Sequence, residues 1–425
     1  MKDRFGNRLI CASADAAEAY VEGVDLMLTA WAGAEGCFDR ALAADPGFAL
    51  AHIARARALQ LQGRLEEAGT VITLARAQAD RLDDRERSHI ATLAMAINGD
   101  GAGALTALRR HVADWPRDGL ILSLTMGVYG LLGFSGAVDH HQQQLDLIES
   151  LASHWGDDWW FIAYRGWAHA ENGNAAFGAP LLERSLVLRP ANGNAAHGRA
   201  HAFYELGETS AASLFLDGWL PEYAGKGPLY PHLSWHLALF ALRQGDIAKA
   251  EALYRETLDT SLGMQPPFFA VVDAGAFNWR CLLRGIERDA DTLAAVSTFA
   301  SERFPQGGIG FANVHIAYAH AAAGDDAALE RHLAITADNA ALRVHPNAAV
   351  VHRICLGVQS YRAENYGHAA SQFEAALAEL PRIGGSHAQR DGVWETLVSA
   401  HLRSGDGERA AERLEERLGL KAIFA

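Results

Sequence analysis

The stretch WHLALFALRQGDIAKAEALYRETL, residues 235–258, decides the fold. It reads as one helix, a turn at Gly245-Asp246, and a second helix. Small residues such as Ala248 and Ala250 let the two helices lie close together. Upstream, Pro231 marks the start of the first helix, where a missing N–H has no partner to lose.

The same grammar recurs in both directions. Gly63, Gly99, Gly133, Gly173, Gly207, Gly245, Gly285, Gly324 and Gly405 each lead through a few polar or small residues into alanine, and Asn365 opens an equivalent turn. The intervals run from 34 to 41 residues. Pro46, Pro116, Pro190, Pro231, Pro266, Pro305, Pro346 and Pro381 fall between the turns. A period that begins at about 34 residues marks tetratricopeptide-like repeats, in which each helical hairpin buries its face against its neighbours. The expected fold is all-α: a right-handed superhelix of about ten hairpins. No Gly/Ser-rich linker divides residues 1–425, so a single solenoid domain is expected, capped by residues 1–33 and by the charged stretch 406–425.

Composition agrees and narrows the function. Half of the residues are hydrophobic and there are 12 prolines. The formal charge of −14 repels phosphate backbones, which argues against nucleic acid as a partner. The N-terminus lacks an apolar signal-peptide core. The uncharged run 119–138 contains Gly127, Gly130, Gly133 and Gly136 in phase with the repeat. It therefore reads as a buried helical hairpin rather than a membrane span. Cys11, Cys37, Cys281 and Cys355 show no CxxC spacing. A reducing, cytoplasmic location is the simplest reading, with a closed monomer or homodimer as the assembly.

Several stretches carry a family likeness: AADPGFALAH (43–52), RERSHIA (85–91), HGRAH (197–201), PHLSWHLAL (231–239), AVVDAGAFNWR (270–280), FANVHIA (311–317) and GGSHAQRD (384–391). With them the chain resembles the tetratricopeptide repeat protein 38 family, from the N-terminus to about residue 415. The resemblance implies the fold and names no settled activity. One departure is Glu205, four residues after His201, where the family pattern has a glutamate three residues on.

Residues four apart share a helix face. His197 stacks with His201, and His232 with His236 on the next first-helix. His315 stands nine residues before Gly324, as His236 stands nine before Gly245. Shared phase places these histidines on the concave wall. They read either as core residues hydrogen-bonded to backbone and carboxylates, or as a polar pocket, or as metal ligands; HxxxH alone is weak metal evidence and HExxH is absent. In GGSHAQRD, Ser386 is a candidate helix cap, Gln389 and Arg390 are candidate ligand contacts, and Asp391 is placed to orient a groove histidine. Asp273 and Trp279 are further candidates, because a buried carboxylate needs a cationic or histidine partner. The expected function is binding of a small molecule or peptide by His197, His232, Asp273, Trp279, Gln389 and Arg390. The alternative is a hydrolase or lyase that uses His201, His236, His315 and Asp391 as acid, base or metal ligands. Cofactor and metal are left unassigned by the sequence.

Overall fold

Gly245 ends the helix Tyr230–Gln244 with φ 75°, and Asp246 at once caps the helix Ile247–Leu253 by accepting from the Lys249 N–H at 3.0 Å. The pairing recurs as Gly99-Asp100, Gly324-Asp325 and Gly405-Asp406, each aspartate accepting from the N–H three residues on. Glycine supplies the left-handed residue that stops one helix, and aspartate satisfies the first free N–H of the next. The repeat is therefore a physical device repeated along the chain.

The computed structural model describes residues 1–420. Its α-helices form eleven successive pairs. Units 1 to 3 are Ala14–Leu28 with Ala34–Ala44, Ala49–Leu61 with Leu65–Arg76, and Asp84–Ile97 with Gly101–Asp114. Unit 4 keeps one turn, Gly119–Ser123, before His140–Leu151. Units 5 to 7 are Trp159–Glu171 with Ala175–Leu188, Gly193–Leu206 with Thr209–Tyr223, and Tyr230–Gln244 with Ile247–Leu253. Units 8 to 11 are Pro267–Leu283 with Ala290–Arg303, Gly310–Ala323 with Asp326–Leu342, Ala348–Arg362 with Tyr366–Glu374, and His387–Arg403 with Gly407–Leu420. Among the described residues there is no strand, and Lys2 and Arg8 form one isolated bridge. The fold is an all-α, tetratricopeptide-like superhelix. Among the described residues no helix is long and apolar enough to cross a membrane.

Two expectations change, and a third falls partly outside the described residues. Residues 14–28 pair with the next helix as a first hairpin, so the segment expected as an N-terminal cap is part of the array. At the other end the helix Gly407–Leu420 closes unit 11, and residues 421–425 of the expected cap lie outside the described residues. The run 119–138 is no helical hairpin: after Ser123 the chain winds through turns and bends. Gly127 and Gly136 hold φ near +79° and +78° there. Gln144 donates to the Thr125 and Gly127 carbonyls at 2.8 and 3.0 Å, replacing helix hydrogen bonds that the segment forgoes.

The superhelix meets itself at several places, two of which border the interior. Unit 1 reaches unit 6, where Tyr223 donates to the Ala30 carbonyl at 2.5 Å and the Gly193 N–H donates to Thr29 at 2.8 Å. Trp31 lies 5.0 Å from the Tyr223 ring. Unit 11 reaches unit 4, where Gln389 donates to the Tyr129 hydroxyl at 2.6 Å and Arg382 to the Gly136 carbonyl at 2.8 Å. Large side chains between first-helices, such as Trp235, Phe240 and Phe277, are fully buried. Each contributes about 1.5–3 kcal/mol of transfer free energy.

Candidate functional site

Inside the superhelix lies a cavity of about 820 Å³. Its walls come from unit 1 (Leu26 to Glu35), unit 2 (Arg57 to Gln62), the irregular stretch of unit 4 (Met126 to Gly130) and units 5 to 8. Most of the wall is apolar, with Trp31, Tyr164, Trp167 and Phe269 prominent. His197, His232, Asn194, Tyr129, Gln265, Gln62 and Arg57 supply polar groups, and Glu35, paired with Arg55 and Arg64, is the carboxylate among the lining residues.

His197 and His232 belong to a cluster. The candidate ligand nitrogens of His197, His201, His232 and His236 all lie within 4.8 Å of one another. The HxxxH spacing builds it: two stacked histidines on Gly193–Leu206 face two on Tyr230–Gln244. His201 is 1%, His232 2% and His236 0% exposed, whereas His197 is half-buried. Two carboxylates stand behind the rings. Nδ1 of His201 donates to Glu171 at 2.6 Å, and Nδ1 of His232 donates to Asp273 at 2.9 Å. These bonds fix the tautomers and turn both Nε2 atoms toward the cluster centre. Nε2 of His201 meets Nε2 of His197 at 2.8 Å. Nε2 of His232 and both ring nitrogens of His236 are buried without a hydrogen-bond partner.

Burial pushes the His236 imidazole well below its ordinary pKa, and the neighbouring His201, His232 and His197 add to the effect. His197 is lowered by the same causes. Burial alone would raise the Glu171 carboxyl, but His201, His387 and His141 outweigh it and hold the group well below the usual carboxylate range. Near neutral pH His197 and His236 are therefore neutral, with Glu171 ionised behind the cluster.

A second layer surrounds Glu171. The His387 N–H donates to its Oε2 at 3.2 Å, and His141 stands 3.9 Å from the same oxygen. Arg390 donates to Nε2 of His141 at 2.9 Å and also to the Gly384 and Gly385 carbonyls. Burial pulls its guanidinium down to about 10, and burial followed by Arg390 puts His141 well below its ordinary value. Arg390 thus braces the rear of the site and does not line the cavity. Gln389 forms a capping box with Ser386 and holds Tyr129 against the cavity wall.

The structure separates the other candidates from the cluster. Asp273 is fully buried behind His232, where it positions the ring and touches no cavity. Trp279 is in the core, stacked on Tyr318 at 5.3 Å and donating to Thr396 at 2.8 Å. Asp391 is held by other groups: Tyr204 donates to it at 2.6 Å, and Arg417 of the last helix pairs with it. His315 stays outside the cluster, donating to the Phe311 carbonyl at 2.9 Å between Phe311 and Tyr318. Burial lowers it to about 4.

Sequence reasoning missed Glu171, Tyr129, His387 and Arg57. A signal existed for the first: Glu171 and Glu205 each stand two residues before a turn glycine, Gly173 and Gly207, in adjacent units. Equal phase sets them side by side, and both approach His387, Glu205 at 3.5 Å.

No family model matches the chain. Among solved structures it is similar to yeast Tom70, at 12% identity and TM-score 0.43 over 94% of this chain and 91% of that one. A human IFIT1 dimer with m7Gppp-AAAA gives 13% identity and TM-score 0.42 over 99% and 98%. The P58(IPK) TPR domain gives 16% identity and TM-score 0.23 over 95% and 99%. Likenesses this distant carry nothing about the ligand.

Proposed function

We propose that the protein binds a small anionic organic molecule inside its superhelix, with the histidine cluster as the polar wall. The observation that supports this most is the cavity itself. Its volume of about 820 Å³ falls in the range of small-molecule sites, and a largely apolar lining with a few convergent polar groups is their usual character. Arg57 argues for the anion. Arg57 lines the cavity and hydrogen-bonds Gln60, and it forms no ion pair within 4.0 Å among the described residues. Burial lowers it to about 10, so it stays charged near neutrality. A cation held in a largely apolar wall with an amide but no anion beside it is well satisfied by a ligand carboxylate or phosphate.

A second reading, hydrolysis or elimination on the same molecule, is favoured by one feature. His232 is anchored by Asp273, and its unpartnered Nε2 belongs to a ring that lines the cavity. That is the arrangement of an oriented general base. A thermal-shift panel of small carboxylic acids and phosphate esters tests the binding reading. Stabilisation by acids but not by their amides, abolished in Arg57→Ala, is expected; equal response to acids and amides, or no response, would reject it.

A further inference from the structure

Three groups of histidines and carboxylates bring candidate ligand atoms within 4.8 Å of one another. Two already contain a cation. In the His89, His111 and Asp118 group, Oδ2 of Asp118 accepts from Arg85 at 2.9 Å as well as meeting both histidines. In the His141, Glu171 and His387 group, Arg390 occupies Nε2 of His141. The third group, His197, His201, His232 and His236, has no arginine or lysine hydrogen-bonded to any member among the described residues.

We propose that these four histidines bind a divalent first-row transition metal of the zinc type at the cavity wall. Four observations converge. The donors are all imidazole nitrogens, which suit zinc, copper, iron or nickel and not magnesium or calcium. The nitrogens are nearly at coordination spacing. Zinc at about 2.0–2.1 Å from each ligand sets tetrahedral nitrogens about 3.3 Å apart, against a span here from 2.8 Å between His201 and His197 to within 4.8 Å overall. Glu171 and Asp273 accept the far N–H of His201 and His232, the carboxylate–histidine support that orients metal ligands. Finally, the unpartnered nitrogens of His232 and His236 are the atoms that an ion would satisfy.

The assignment rests on the cavity reading only for what the ion would face, since His197 and His232 line that cavity. The test uses the full chain stripped by a chelator. Zinc is titrated calorimetrically, and Co²⁺ substitution is followed by visible absorption. One equivalent of zinc per chain is expected. His236→Ala should abolish it; His197→Ala, at a half-buried position less prone to misfold, should do the same. Asp273→Asn should weaken it by about 10–100-fold. His89→Ala should leave it unchanged. Failure of the wild type to bind near one equivalent, or unchanged binding in His197→Ala, would overturn the assignment. Binding of a small carboxylic acid to the stripped protein, with and without Arg57→Ala, reads the cavity separately. Zinc lost with acid binding kept removes the metal alone; the reverse removes the anion site alone.

Discussion

His236 is a buried polar ring that costs the fold stability. Both of its ring nitrogens are buried without a partner, and each such group costs about 1–3 kcal/mol. Replacing it by a residue of similar size and no polar atoms should remove that cost. We predict that His236→Leu leaves the melting temperature of the metal-stripped protein unchanged or higher, while metal binding is lost. A drop of several degrees would reveal a partner for the ring. A second prediction concerns acid. His140 and His315 are lowered from 6.5 to about 4, chiefly by burial, and His320 likewise. Their folded pKa values lie below the unfolded one, so the unfolded chain takes up protons first as pH falls. The stability they lend is complete above 6.5 and is lost progressively down to about 4. At 1.36 kcal/mol per unit, each contributes about 3 kcal/mol across that window. Urea unfolding followed across it should show a steep fall; a flat profile would contradict buried, neutral rings.

At the scale of elements, the segment before the last hairpin fixes the site from behind. Gly384 has φ 82° and ψ −159°, a region open essentially to glycine, and an added Cβ would lie 2.8 Å from the Gly133 carbonyl. At Gly385 the same atom would lie 2.2 Å from the Phe311 ring. Gly384→Ala should therefore cost about 1–3 kcal/mol from the backbone alone. It should also loosen Tyr129, read as faster hydrogen exchange in 124–139. The hairpin period, the cap at Ser386 and both HxxxH pairs were legible in the sequence, because each is local and periodic. The rest was not, for geometric reasons. Arg390 and Asp391 are neighbours in sequence, but one residue of helix turns the side chain by about 100°. One therefore meets His141 and the other meets Tyr204 and Arg417. His315 has the phase of His236, yet two units separate them along a curving wall, so equal phase gave the same side without contact. The winding of 124–139 was hidden because its glycines fall in step with the helical repeat that the segment abandons.

For the whole molecule, closure changes how it should unfold. In an open solenoid each repeat touches only its neighbours, and ends fray first. Here unit 1 is bonded to unit 6 and unit 4 to unit 11. Trp31 packs edge-on against Trp219 and beside Tyr223. Trp31→Ala should therefore raise hydrogen exchange in units 1 and 6 together, with little change in units 2 and 3 between them. Fraying confined to unit 1 would show that the contact is incidental. The two closures also bear on inheritance. Tandem arrays commonly lengthen or shorten by duplicating or deleting whole repeats, since a linear stack tolerates either. A stack whose early members are bonded to later ones cannot change its count between them without moving Tyr129 off Gln389 or Thr29 off Gly193. The number of hairpins between these pairs is thus under the same selection as the site, and homologues that keep the histidines should keep that number.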